Sequence, residues 1–495
     1  MTRLRRSLIV TFLSSNSATA MQFGVTVILS RLLTPAEVGI FSITAVFIGI
    51  FHVFRDFGVS NYLQQEKDLT PEKMRSAMGL LVTASWLIAT LIYFASDFVA
   101  AFYAQPGIGS VMRTLTISFV LLPFASFFYA LLSRDLQAEK QAVVNILSTI
   151  AYAVTCISLA SMGFSYMALA WANVVNIAVT ILIYIPLRPK GISFIPTFRG
   201  WAKPIQFGGG SIIGRLVEQA YNSIPDLVLG KSSGAHSVGL FSRANGLVGI
   251  FVQIAGPTVN YNALPYIAKN HHAQVSLGPI LAKSTSYLTG IAWPAFILIG
   301  IFAEEIILTL YGKSWLEAAP LVIILSLASA ARIGYSLCQT ALTAIGRPYL
   351  SIIYSGLGTL ARIALIYAFG ARDITSFALG LCLADLLTTP VAAMLMARYL
   401  GYTLRMSIAA HAVSFKVGFS CLAVTLFLKY AMPVTWPDFL RLSLAIISMG
   451  SVWLVCVFYF KHPLKEELSA LWQRIVSGKI VRRLSGIVEM EKTNG

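Results

Sequence analysis

The chain reads as an all-α, polytopic membrane protein of about fourteen transmembrane helices. Three observations carry that reading. Of its 495 residues, 57% are hydrophobic and only 12% charged, whereas soluble domains carry about 25% charged residues. Apolar runs long enough to cross a bilayer, roughly 20 residues each, follow one another along most of the chain with short breaks. Finally, a stretch near the start recurs 200 positions later without a gap.

The predicted spans are about 8–30, 38–60, 76–101, 111–132, 142–162, 165–186, 205–229, 237–266, 284–309, 318–343, 349–370, 375–398, 408–431 and 440–460. The first is a retained helix rather than a cleaved signal. Its apolar run exceeds the roughly 7–15 residues of a signal core and leads into Arg31 and Pro35 without a small-residue cleavage site. Cys156, Cys338, Cys382, Cys421 and Cys456 all fall inside spans with no metal or redox spacing. They read as small buried hydrophobes.

The repeat pairs Leu29–Phe51 (LSRLLTPAEVGIFSITAVFIGIF) with Leu229–Phe251 (LGKSSGAHSVGLFSRANGLVGIF). Eight positions are identical, among them Gly39/Gly239, Ser42/Ser242 and Gly49/Gly249, and Arg31/Lys231 keeps its charge. Six spans separate the copies. An even number makes the repeats parallel, related by an axis along the membrane normal, which is a common transporter architecture. The division expected is a six-helix lobe over 1–187, a linker over 188–204, a second six-helix lobe over 205–400, an extra helix pair over 401–461 and a tail over 462–495. Leu468, Leu471, Trp472 and Ile475 share one side of the tail. It reads as an amphipathic helix on the inner leaflet, followed by a basic segment.

A net charge of +17 could indicate a nucleic-acid partner, but its distribution excludes one. With the N-terminus inside, cytoplasmic segments hold 24 of the 37 Lys and Arg and the opposite segments hold seven. That is the positive-inside bias, and it places both termini in the cytoplasm.

An ionisable side chain in mid-bilayer costs several kcal/mol, so those inside spans are the functional candidates. Arg215, Glu218, Gln219, Asn222 and Asp226 stand at i, i+3, i+4, i+7 and i+11 on one face of the seventh span. Such a stripe lines a wet cavity or a protein interior; an Arg215–Glu218 pair that merely neutralises itself is the plainer reading. Arg332 and Arg362 stand alone in apolar sequence. Arg243 in the eighth span, and Arg55 beside Asp56, can snorkel or pair locally. Asp385, isolated in the twelfth span, must be protonated or paired. It is either a proton or cation site or a partner of Arg332 or Arg362. Six basic residues (the five Arg and Lys416) face the acids Asp56, Asp97, Glu218, Asp226 and Asp385. Arginine grips phosphate oxygens bidentately, so surplus Arg suits an anionic or phosphorylated substrate. Arg215, Arg243, Arg332, Arg362 and Arg55, with Gln219 and Asn222, are the candidate substrate-binding residues. Asp385, Glu218 and Asp226 are the candidate ion-coupling acids.

No enzyme constellation appears. The histidines are scattered, and Gly208-Gly209-Gly210 lacks the Lys-Ser/Thr of a phosphate loop. No cofactor or metal is expected, and transport would run on a gradient or on substrate supply.

Several segments resemble the polysaccharide exporter and lipid-linked oligosaccharide flippase family, within the multidrug/oligosaccharidyl-lipid/polysaccharide transporter superfamily. They are LSRLLTPAEVGIFS, DFGVSNYLQQ, PDLVLGKSSGAHSVGLFSRANGL, LYGKSWLEAAPLVIIL and AIGRP at 344–348. Their order and spacing cover most of Leu8–Leu400. The resemblance implies two six-helix lobes forming a V around a central cavity, with an added pair beside the lipid path. It also implies a cargo of oligosaccharide on a polyprenyl diphosphate, moved across a bacterial inner membrane for surface or exopolysaccharide synthesis. Membrane lipids, a polysaccharide polymerase and chain-length proteins are the implied partners. Arg215, Arg243 and Arg332 stand where relatives place essential cavity arginines, by location rather than by motif; no coupling-ion site transfers. Two alternatives stay open. One is a cation-coupled drug antiporter, which needs an acid-dominated cavity. The other is an enzyme or non-transporting component of the polysaccharide machinery; a polymerase needs a large outer loop.

Reporter fusions test the topology. Fusions at Gly191 and in the tail should report cytoplasm, and fusions near Lys231 and Lys313 the opposite side. An external signal at Gly191 breaks both the span count and the parallel repeat.

Overall fold

The computed structural model describes residues 3–56, 58–187, 196–197, 200–369 and 373–476. Among them there are only helices and connecting turns, as bilayer solvation demands: a helix satisfies its own backbone where no water can. The N-terminal half contains α1 (Arg3–Leu32), α2 (Pro35–Asp56), the short α3 (Val59–Gln65), α4 (Pro71–Phe102), α5 (Pro106–Arg134), α6 (Ala138–Ser161) and α7 (Met167–Leu187). Two helical arms joined at a non-helical Gly234, together α8 (Ala202–His272), open the C-terminal half. After it come α9 (Leu277–Ile301), α10 (Ala303–Leu310), a 3-10 turn (Lys313–Ala318), α11 (Ala319–Ile333), α12 (Cys338–Ala344), α13 (Pro348–Phe369) and α14 (Ile374–Leu400). The chain then adds α15 (Leu404–Ala431), α16 (Asp438–Tyr459) and α17 (Leu464–Val476).

Local chemistry sets the helix ends. Proline opens α2, α4, α5 and α13, where its missing N–H costs nothing. Thr70, Asp373 and Thr403 cap α4, α14 and α15, their side chains accepting from the N–H of Lys73, Ser376 and Met406. Among the described residues, eleven stretches are long and apolar enough to cross a membrane: α2, α4 to α7, α9, residues 313–344, and α13 to α16. The chain is therefore a multi-pass membrane protein. Large apolar side chains such as Phe94, Phe98, Phe427 and Ile447 point outward, as a lipid-facing surface requires. Lys416, counted above among the basic residues within the spans, lies exposed on α15.

The predicted seventh and eighth spans are the two helical arms of α8, which meet at Gly234, whose φ of 78° is a conformation open to glycine. Two other predicted spans differ from what is observed. The ninth breaks at Phe302, between α9 and α10. The tenth breaks after Ile333, so Arg332 sits at a helix end rather than inside a continuous span. The tail helix begins against the body, while Trp472 stays exposed. Leu464 is buried, Leu468 packs with it among Val417, Cys421 and Val457, and Lys283 pairs with Glu466 at 3.4 Å. The described part of the tail thus docks on the helical body, and residues 477–495 lie outside the described residues.

α2 lies along both arms of bent α8. A Cβ added to Gly39 would stand 1.7 Å from the Ala235 carbonyl oxygen, and one added to Gly239 would stand 1.8 Å from that of Pro35. Backbones therefore touch directly, reciprocally, and at positions 200 apart. Three residues on, Ser42 Oγ and Ser242 Oγ hydrogen-bond at 3.1 Å. Along the first arm of α8, Gly230 faces Ile43 and Gln219 faces Gly49. Small residues spaced by four are the usual means of close helix contact in lipid, where no hydrophobic force drives association.

The same end of the bundle carries crossed clasps. Arg31 donates to the Thr309 carbonyl at 2.6 Å, and Lys231 donates to the Phe102 carbonyl at 2.6 Å. Trp315 Nε1 donates to Ser30 O at 2.7 Å, and Tyr103 OH donates to Leu227 O at 3.3 Å. Each half thus gives one cation and one aromatic donor to the other. Both cations sit at helix C-termini, where orphan carbonyls and the helix dipole favour positive charge. The extra pair is anchored separately: buried Glu305 of α10 accepts from Lys429 of α15 at 2.5 Å and lies 3.1 Å from Arg441 of α16.

Gly39→Ala and Gly239→Ala should each destabilise the purified protein by about 1–3 kcal/mol, the usual cost of overpacking. Gly24→Ala is the control, because nothing lies within 4 Å of its added Cβ. Thermal unfolding reads the difference; a Gly39→Ala protein that melts with the Gly24→Ala protein contradicts the backbone contact.

Candidate functional site

Three cavities receive sequence-singled residues, and two of them divide Arg215, Glu218 and Asn222 of the α8 stripe between them. The first, about 530 Å³, lies under the Ser42–Ser242 contact. α1 supplies Gln22 and Thr26, α6 supplies Tyr152, α7 supplies Asn173 and Asn176, and the second arm of α8 sends in Arg243. Arg243 has no carboxylate or hydrogen-bond partner among the described residues, and its buried Nε is unsatisfied. Its guanidinium lies 5.5 Å from the Trp315 ring centre. A cation enclosed by polar but uncharged groups is electrostatically incomplete, because desolvation is not offset by an opposite charge. An anion completes it.

The second cavity, about 640 Å³, lies where α2, α3, α5, α7 and α8 meet, and both Arg55 and Arg215 line it. Arg55 donates to Ser126 Oγ at 2.7 Å. Asn61, Gln64, Tyr129 and Thr180 complete a polar wall. The side chain of Asp56 lies outside the described residues.

In the C-terminal half, Glu218, Tyr221 and Asn222 of α8 join Arg332, Gln339 and Tyr354 around about 230 Å³. Behind it is an ionic core. Asp385 Oδ1 accepts from Arg362 Nη2 at 2.8 Å, from Arg362 Nε at 3.2 Å and from Tyr221 OH at 3.1 Å. Arg332 Nη1 reaches Asp385 Oδ2 at 3.8 Å and donates to Tyr221 OH at 3.4 Å. Arg362 Nη1 also donates to the Tyr221 carbonyl at 2.7 Å, and its guanidinium stacks 3.6 Å from the Tyr221 ring centre.

The expectations sort accordingly. Arg332 and Arg362 do not stand alone: both meet Asp385, the second of the two readings left open for that acid. Arg362 is buried and fully engaged, whereas Arg332 is half-exposed toward the cavity. Gln219 donates to Ser223 and packs on Gly49, at the α2 seam rather than in a cavity. Asp226 shares the Gln219 and Gly230 face of α8 and has no hydrogen bond or ion pair among the described residues; Glu218 has none either. Asp97 pairs with Arg113 at the bundle end. Sequence reasoning missed Tyr221, Asn173 and Asn176 because it searched first for formal charge; two amides and a phenol inside apolar runs were the available signal.

A family model described as "Polysaccharide biosynthesis protein" matches residues 28–320. The chain belongs to this polysaccharide biosynthesis protein family. The family's match spans the clasps, the α2–α8 seam and the Arg243 cavity except for its α1 residues Gln22, Val25 and Thr26. "Lipopolysaccharide biosynthesis protein WzxC" of Escherichia coli strain K12 is 21% identical over 464 residues, covering 92% of this chain and 94% of its own. Among solved structures, "Lipid II flippase MurJ, inward closed conformation" aligns with a TM-score of 0.73 at 13% identity, over 92% of this chain and 99% of that one. The inward-facing form of a multidrug resistance MATE family transporter of the MOP superfamily aligns with a TM-score of 0.58 at 15% identity, over 81% and 99%. The polysaccharide biosynthesis chain thus has the MurJ- and MATE-like helical fold.

Arg362→Ala should lower stability by about 3–5 kcal/mol, the cost of stranding a buried charge. The apolar pair Arg362→Met with Asp385→Leu should recover most of that loss. Thermal unfolding of single and double variants measures the coupling; additive losses contradict the ion pair.

Proposed function

We propose that the protein is a flippase carrying polyprenyl-diphosphate-linked oligosaccharide units across the membrane for polysaccharide synthesis. One observation carries this: Arg243 holds an uncompensated positive charge inside a polar cavity walled by both halves. A diphosphate supplies the missing anion through charge-assisted hydrogen bonds. Membership in a polysaccharide biosynthesis family and a fold shared with a protein titled a lipid II flippase agree with it. A cationic drug finds no counterpart there.

The mechanism is alternating access between two lobes, 1–187 and 205–400, with 401–461 as an added pair. Counting α1 and the two arms of α8 beside the eleven apolar stretches gives fourteen spans. Contacts between residues 200 apart, Gly39 with Gly239 and Ser42 with Ser242, support a parallel twofold repeat. The clasped end is the outer gate, shut. The headgroup enters from the cytoplasmic side past Arg55 and Arg215 and reaches Arg243, while the polyprenyl tail stays in lipid. Releasing the clasps opens the other side. The positive-inside bias supports both termini lying in the cytoplasm, and membership in a polysaccharide biosynthesis family supports a bacterial inner membrane as the setting. Polymerase and chain-length proteins receive the cargo. Glu218 and Asp226 are the acids left to exchange a proton or cation, because Asp385 is committed to two arginines.

Arg243→Gln should cut surface polysaccharide roughly 10- to 100-fold at unchanged protein level, the loss expected for a hydrogen bond to a charged group, with the lipid-linked precursor accumulating. Oxidised Ser42→Cys/Ser242→Cys should stop export until a reductant is added. Normal export by Arg243→Gln overturns the phosphate role, and export by the cross-linked protein overturns the gate.

A further inference from the structure

Two amides share the Arg243 cavity, and their orientation is fixed from behind. Asn173 Nδ2 donates to the Leu169 carbonyl of its own helix at 2.9 Å, and Asn176 Nδ2 donates to the Ser148 carbonyl of α6 at 2.8 Å. Neither Oδ1 has a donor among the described residues. With their nitrogens tied to backbone, the two amides offer acceptor oxygens one helical turn apart on α7. The cavity is therefore two-sided, with a cationic donor opposite a pair of neutral acceptors. Phosphate oxygens suit the first side and are repelled by the second, because both are acceptors. What suits the second is a group rich in O–H or N–H donors lying directly beside a phosphate.

We propose that Asn173 and Asn176 read the sugar residue attached directly to the diphosphate that Arg243 holds. This rests on the flippase reading and deepens it by naming the specificity subsite. The sugar's hydroxyls donate to the two Oδ1 atoms. The same face of α7 continues to Thr180, which lines the neighbouring 640 Å³ cavity. Later sugars therefore run along α7 toward Arg215, and only the first is held beside the phosphate.

The test is binding to the full chain in lipid nanodiscs with two probes: farnesyl diphosphate, and the same diphosphate bearing one glucose. Wild type should bind the glucosyl probe about tenfold more tightly, as two neutral hydrogen bonds allow. Asn173→Leu/Asn176→Leu should reduce the glucosyl probe to the affinity of farnesyl diphosphate and leave the latter unchanged. Arg243→Gln should weaken both. Asn173→Leu alone loses only a bond within its own helix, and should remove part of the preference if the double variant does not fold. Equal affinity of wild type for both probes, or equal loss of both in the asparagine variants, overturns the subsite while leaving the diphosphate site standing. Failure of wild type to bind either probe overturns the flippase reading as well.

Discussion

Everything at the clasped end depends on two backbones touching without side chains between them. Gly39 on Ala235 and Gly239 on Pro35 bring α2 and α8 to a separation that any Cβ would increase. Only at that separation do Ser42 and Ser242 reach each other. The seam also roofs the Arg243 cavity, so the geometry of the charged site is inherited from glycine placement. The bend at Gly234 serves the same contact, because it lets one element lie against α2 with both of its arms.

Charge is then distributed unevenly beneath the roof. In the C-terminal half, one carboxylate is shared by two guanidinium groups and a tyrosine hydroxyl, giving a core that is internally satisfied and rigid. Under the seam, one guanidinium has no such partner. Buried pairs of the first kind are structural more than functional; an unmatched charge of the second kind is the basis of the proposed diphosphate site. That contrast separates arginines whose sequence surroundings look alike.

Much of this was legible in the residues. Hydropathy marks the spans, and the gapless repeat singles out Gly39, Gly239 and the Ser42/Ser242 pair before any coordinates. Intramembrane arginine marks four residues that line cavities, Arg55, Arg215, Arg243 and Arg332. Other features were hidden for physical reasons. The breaks at Phe302 and after Ile333 fall inside apolar runs, where hydropathy carries no boundary signal. Asp385 meets Arg362 and Arg332 across three helices, so spacing along the chain could not choose between partner and proton site. The α8 stripe shares one face, yet that face is wide enough to serve two cavities and a helix seam. Asn173 and Asn176 carry no charge and are silent in any search for it.

The crossed clasps bear on how the chain is made. Arg31 completes a carbonyl at Thr309, and the Ser30 carbonyl waits for Trp315. Roughly 280 residues of synthesis separate each of these pairs. In the other direction, the last turn of α4 at Phe102 stays uncapped until Lys231 is inserted. The N-terminal half therefore leaves the ribosome with its clasped end unfinished, and is sealed only when the second half arrives. Cut between the halves, each piece would present open helix ends to the membrane surface, and the two would complete each other only by reassembly.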